Sequence, residues 1–219
     1  MFLEKGVILK KVIRDGNHMV TVTFSVTPDK FVMTAQSDDG SPPQVKEGAR
    51  QPLLVPVTMP IIVLIDGHSA SAAEVIAGAL QANGRARVMG EPSYGKGVGQ
   101  DVVQLPYGRS MHITSFEFFP GGVKMDWVGI VPDIEMKQPA DADPIDDPST
   151  DYQLNAANFE LIFTAVGNPQ PARPRDQVDA RRAELEKAHR ADFQKEVQMR
   201  EEVLKRAAEA AASGSTGPN

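Results

Sequence analysis

Apolar positions along the chain recur at two different periods, and the change of period marks the elements. Residues 19–26, MVTVTFSV, alternate, with Val20, Val22, Phe24 and Val26 on one face, as in a half-buried strand. Residues 7–10 give a shorter extended piece. Residues 61–65, IIVLI, form an unbroken β-branched run, the pattern of a strand buried on both faces. Residues 71–82 switch to helical spacing, and RARVM at 85–89 returns to strand. VVQL at 102–105 and SMHITSFEFF at 110–119 predict an antiparallel pair turning at Tyr107 and Gly108. GIVPDIEM at 129–136 is a last extended segment, and residues 37–52, rich in Gly, Pro and charge, read as a loop. The sum is an α/β core with mixed strands.

Beyond this core, taken as residues 1–139, the pattern thins. Residues 140–150 are acidic and proline-rich and read as a linker. Residues 151–166 carry Leu154, Ala157, Leu161 and Ala165 at helical spacing, a short helix. Residues 167–175 break it. Residues 176–212 form a long, charge-rich helical extension whose apolar stripe (Val178, Leu185, Phe193, Val197, Leu204) is narrow. Such a stripe suits a solvated helix or one that docks a partner, including a second copy of the chain. It also predicts that the core folds without this helix. Residues 213–219 read as a disordered tail.

Composition narrows the chemistry. The 219 residues are 41% hydrophobic and 24% charged, a soluble globular profile, and the net charge of −6 argues against nucleic-acid binding. Cysteine is absent, which removes disulfides, thiolate nucleophiles and thiolate metal ligands. Neither a metal nor a cofactor is expected. The first residues are too polar for a signal peptide.

Chemistry concentrates in PIIVLIDGHSASAAEVIAGAL, residues 60–80. A buried strand, a turn containing Gly67 and then a helix is the setting of a nucleophile elbow. Free amides at the helix start can stabilise an oxyanion. The plain alternative is that Ser69 and Ser71 only cap the helix; Ser71 with Glu74 makes a capping-box pattern. GHSAS approaches the G-x-S-x-G elbow, which would make Ser69 the nucleophile, but Ser71 stands where that motif needs glycine. GEPSYGKG at 90–97 approaches a phosphate-binding loop, yet Gly97 replaces the Ser or Thr that holds magnesium, and strand pattern follows where a helix is needed. What remains is a serine at a helix start and Lys96 on a glycine-rich loop. A neutral lysine can serve as general base for serine, and Gln100 could orient the amine without adding charge. Gly97 and Gly99 supply the bend that would bring Lys96 and Gln100 together.

With these segments in hand, VLIDGHSASAAEVIAGALQANGRARVMGEPSYGKGVGQ resembles the catalytic core of the C-terminal processing (tail-specific) peptidases. Their pattern is an apolar strand, S-A-S-A-x-E, a helix, then G-R-A, G-E and F/Y-G-K-G-x-x-Q. The likeness spans about residues 53–137. It implies a ClpP/crotonase-like fold and hydrolysis of polypeptides near their C-termini. By position it implies Ser71 as nucleophile, Lys96 as general base and Gln100 as third partner. The Ala72 amide would be an oxyanion donor, with Ser69, Glu74, Gly95 and Gly97 in support. Other members place an aspartate where Ala82 stands, and His68 has no expected role. The family's upstream PDZ region and its Asn-Pro-Gly-Gly turn, which gives a second oxyanion donor, find no match in these residues. Loss of one such donor costs about 3 kcal/mol. A weak or inactive remnant acting as a binding or assembly module is therefore the alternative. The resemblance suggests an extracytoplasmic site.

Overall fold

The computed structural model describes residues 1–140, 142, 148–165, 167 and 175–213. Parts of both sequence-predicted linkers, and most of the predicted tail, lie outside these residues. The first four strands run as an antiparallel meander: β1 (Gly6–Asp15), β2 (His18–Val26), β3 (Lys30–Ser37) and β4 (Gln44–Ala49). Late in the chain β7 (Val98–Leu105) and β8 (Arg109–Pro120) form a hairpin. β8 pairs with β1, which gives a six-stranded antiparallel sheet in the order β4-β3-β2-β1-β8-β7. A second sheet is parallel and small, β5 (Ile62–Ile65), β6 (Arg87–Gly90) and β9 (Ile134–Glu135), in that order. The architecture is α/β, with the two strand directions segregated into separate sheets.

Helix α1 (Ala72–Ala82) follows β5 and packs on β1, β8 and β6. One core gathers Ile65, Ala77, Val88, Phe118, Met125 and Ile130. A second gathers Leu3, Val26, Ala79, Leu80 and Ala86 on the other flank of the same helix. Small residues on the buried side of α1 let two elements approach it closely, which fixes the turn that precedes it.

Three expectations need correction. Residues 37–52 are not all loop, because β4 pairs there with β3 from Gln44 to Ala49. Every β4 residue is exposed, so no buried face imprints an alternation on its sequence. In 61–65 only Ile65 is fully buried, since the parallel sheet has just three short strands. The 129–136 segment pairs only at Ile134 and Glu135; its earlier residues from Gly129 to Pro132 are buried as irregular chain.

Helix α2 (Tyr152–Ala165) buries Ala157 and also Glu160, whose carboxylate pairs with the Arg87 guanidinium. Helix α3 (Arg175–Ser213) does not stand clear of the core. Val178 is 0% exposed and packs with Val128 and Val131, and Leu185 covers them. This docking runs against the expected independence of the core from the helix. The side chains of Phe193, Val197 and Leu204, the rest of the stripe, fall outside the described set.

Candidate active site

β5 ends at Ile65, and six residues turn the chain into α1. Asp66 organises that turn. Its Oδ1 accepts the His68 amide (3.0 Å), the Ser69 amide (2.9 Å) and the Ser69 hydroxyl (2.9 Å). The Ser69 Oγ in turn accepts the Asp66 amide at 3.1 Å. Burial pushes the Asp66 carboxyl up, but the bonds from Ser69 and His68 outweigh it and hold it below the usual carboxylate range. The Ser69 hydroxyl is thus committed to the turn, and its carbonyl accepts the Tyr94 amide at 3.0 Å.

Two residues on, Ser71 has φ 56° and ψ −113°. A residue that merely caps a helix sits in the extended region. A non-glycine residue at this φ carries strain of about 1–3 kcal/mol, which only a surrounding network can hold. Ala72 begins α1, so its amide is one of the donors a helix leaves without an intrahelical acceptor.

Glu74 supplies the network. It is 0% exposed and accepts four hydrogen bonds. One oxygen takes the Ser71 amide (2.7 Å) and the Lys96 amide (3.0 Å). The other takes the Gly95 amide and the Ser93 hydroxyl, both at 2.6 Å. A single carboxylate therefore ties the backbone of the strained serine to the backbone of the lysine. A buried charge is tolerable there because each oxygen is doubly bonded. Gly95 has φ +87°, and a Cβ on it would meet the Trp127 carbonyl carbon at 2.8 Å, so both conformation and space demand glycine.

The side chains are less confined than the backbone. Lys96 and Gln100 are exposed. Among the described residues no hydrogen bond links the Ser71 hydroxyl, the Lys96 amine and the Gln100 amide. The register of β7 on β8 slips between Gly99 and Gln100, so a bulge does lie between Lys96 and Gln100. The site thus holds a strained serine hydroxyl at a helix start and an exposed amine on the loop clipped to it.

Sequence reasoning passed over Asp66, Ser93 and Asp126. Ser93 is buried, bonded to Glu74, and its Oγ accepts the Ile130 amide at 2.6 Å. Asp126 accepts the Gly97 amide at 2.9 Å. Ser93 and Asp126 each bind backbone from a distant segment, which no local spacing reveals; Asp66 bonds within its own turn, to residues two and three positions on, a local pattern that aspartate favours.

Known proteins show the same segments. The model of peptidase family S41 matches residues 15–136, more than half of the chain. A carboxy-terminal-processing protease of Bartonella bacilliformis is 44% identical over 81 residues, 36% of this chain and 19% of that protein. A carboxyl-terminal-processing protease of Picosynechococcus sp. is 38% identical over 99 residues, 45% of this chain and 24% of that one. Among solved structures, a photosystem II D1 C-terminal processing protease superposes with a TM-score of 0.41 at 26% identity, over 64% of this chain and 31% of that one. The stretches shared with the two curated relatives span no more than about a quarter of their length. With the family model covering the strand, the serine turn, the lysine loop and the segment that supports it, the chain belongs to peptidase family S41.

Proposed function

We propose that this chain carries the nucleophile and general base of a serine peptidase that cleaves polypeptides near their C-termini. The observation that carries the reading is the Glu74 carboxylate, which joins a strained Ser71 to the Lys96 loop. A helix cap alone would not need the strain at Ser71. In the reaction, the Ser71 Oγ attacks the scissile carbonyl carbon while its proton passes to the neutral Lys96 amine. The oxyanion takes the Ala72 amide at the positive end of α1. The Lys96 ammonium then protonates the departing amine, the peptide bond breaks, and an acyl group stays on Ser71. Lys96, again neutral, takes a proton from the water that attacks the acyl carbon; the bond to Ser71 Oγ breaks, the acid leaves, and the Lys96 proton returns to the Ser71 Oγ. Gln100 orients the amine. Lys96 is exposed here, so the dry surroundings that favour a neutral amine come with the bound substrate. Asp66, Ser69, Gly95 and Gly97 shape the backbone.

The exposure of Lys96 and Gln100 favours the other reading, a binding or assembly module without turnover, as does the unmatched second oxyanion donor. The reading includes an extracytoplasmic location. Self-association through α3 belongs to it too, and sedimentation checks it.

A serine-directed fluorophosphonate separates the two. Ser71 should be labelled and Ser71→Ala should not. Lys96→Ala and Lys96→Arg should lose labelling by a hundredfold or more, since arginine stays protonated. Gln100→Ala should lose less. Labelling at Ser69 that survives in Ser71→Ala, or full labelling in Lys96→Ala, overturns the assignment.

A further inference from the structure

The Lys96 loop hangs from two supports. One is Glu74, on α1. The other is the irregular segment 124–131, which reaches the loop almost entirely through backbone. The Trp127 amide donates to the Gly95 carbonyl at 2.8 Å, and the Ser93 amide donates to the Ile130 carbonyl at 3.2 Å. Asp126 receives the Gly97 amide. Contact is so close that a Cβ on Gly97 would lie 2.6 Å from the Asp126 Cβ, and one on Gly129 would lie 2.1 Å from the Ser93 carbonyl oxygen. A displacement of 124–131 must therefore move residues 93–97, since no slack separates them.

What fixes 124–131 in turn? It is not regular structure, and Trp127 holds φ +67° with its side chain 61% exposed. On its inner side Met125 and Ile130 sit in the core beside α1, and the Gln81 side-chain amide donates to the Val131 carbonyl at 2.8 Å. On its outer side the support comes from α3. Val178, Leu185 and His189 recur on one helical face. Val178 fills the space between Val128 and Val131. The His189 ring stacks on Trp127, with centroids 4.7 Å apart and planes at 22°. At the edges Glu186 faces Lys124 (3.7 Å) and Arg181 faces Glu135 (3.9 Å). These exposed pairs add little by themselves. The apolar plug holds Val128 and Val131, and the ring stack holds Trp127.

We propose that α3 is a positioning element for the Lys96 loop, with Val178 and His189 as positioning residues that act through segment 124–131. The consequence for chemistry rests on Lys96 being the base; the mechanical coupling does not. The long charged helix then has a task inside the molecule. Ligands or copies that draw α3 away would loosen the site.

The test uses the full chain and two independent readouts. Trp127 is the only tryptophan, so its emission reports directly on the His189 stack. Hydrogen exchange of the Gly95, Lys96 and Gly97 amides reports on the loop. Val178→Asp should shift the emission to the red and raise loop exchange about tenfold or more, with α1 protection unchanged. His189→Ala should do the same about two- to fivefold, and His189→Phe, which keeps a ring on the indole, should restore wild-type exchange. Where Val178→Asp also melts α1, the two His189 variants decide. Loop exchange that stays at wild-type values while the emission shifts overturns the proposal. A fluorophosphonate labelling rate at Ser71 that is unchanged while loop exchange rises overturns the consequence for chemistry and leaves the coupling standing. A wild-type chain that never labels, but shows the expected exchange pattern, defeats the peptidase reading and leaves the coupling standing.

Discussion

Residues 93–97 and residues 98–114 are neighbours in sequence and opposites in how they are held. The first stretch is mostly buried, and its amides are bound by Glu74, Asp126 and Ile130 from two other parts of the chain. The second is a two-stranded arm. β1 leaves β8 at the Ile13–Phe116 pair, so beyond Phe116 the hairpin has only its own ladder. Every residue from Gln100 to Thr114 is exposed. A lone two-stranded ribbon is marginal in water. The contrast divides the proposed catalytic residues. Ser71 and Lys96 have their backbones set by a buried polar network, whereas Gln100 sits at the root of the arm and takes its position from a bulge.

The largest effect should follow from breaking the network itself. In Glu74→Gln the new NH2 group faces either the Ser71 and Lys96 amides or the Gly95 amide and the Ser93 hydroxyl, so in each orientation at least one buried backbone donor loses its acceptor. The loss should be about 3–5 kcal/mol. For a chain of this size that lowers Tm by about 10 °C or more. Calorimetry checks it, and a change of under 2 °C would show that the four bonds to Glu74 are replaceable.

Next in size is the strain at Ser71. Ser71→Gly removes the Cβ that makes φ 56° costly, so the protein should gain about 1 kcal/mol while losing all phosphonate labelling. A gain in stability with loss of reaction is the mark of strain held for function. If Ser71→Gly is less stable than the wild type, the turn is not strained in the way its angles indicate.

The two regions also differ in how far the sequence disclosed them. Ser71 stands in local spacing, since a strand, a turn and a helix write their periods directly into residues 61–82, and Lys96 stands out on the glycine-rich loop 90–97. The capping-box pattern is present as well, with the Glu74 carboxylate accepting the Ser71 amide. Its other three contacts, to Ser93, Gly95 and Lys96, join segments about twenty residues apart and have no periodic trace. The same holds for the Val178 plug. A thin stripe reads as a solvated helix until the partner surface, Val128 and Val131 on irregular chain, is known. β4 was hidden for the opposite reason: an exposed edge strand needs no apolar face, and its Lys46 and Glu47 are what such edges carry.

A smaller effect tests the turn before Ser71. The Asp66 carboxyl is held below its ordinary value in the folded chain. It therefore contributes stability that is complete above the unfolded value of about 3.9 and is lost as pH falls through the lower folded value. Melting followed below about pH 4 should show this acid-side loss in the wild type. Asp66→Asn should start less stable at neutral pH and lose less on acidification. Parallel acid curves for the two proteins would remove Asp66 from the turn's support.

The smallest effect should come from the arm, and it decides whether the contrast is real. Tyr107 turns the hairpin with φ +66° and is 95% exposed, so nothing but the backbone is at stake there. Tyr107→Asn puts a residue that tolerates the left-handed region at that point and should stabilise the turn by about 0.5–1 kcal/mol. If the arm opens separately from the core, the gain goes to the arm alone. Amides of residues 102–112 should then exchange about two- to fivefold more slowly, while Tm stays within a degree. A rise in Tm to match would mean that the arm unfolds with the core as one unit. Gln100 would then be fixed as firmly as Lys96, and the bulge beside it would be a rigid part of the site.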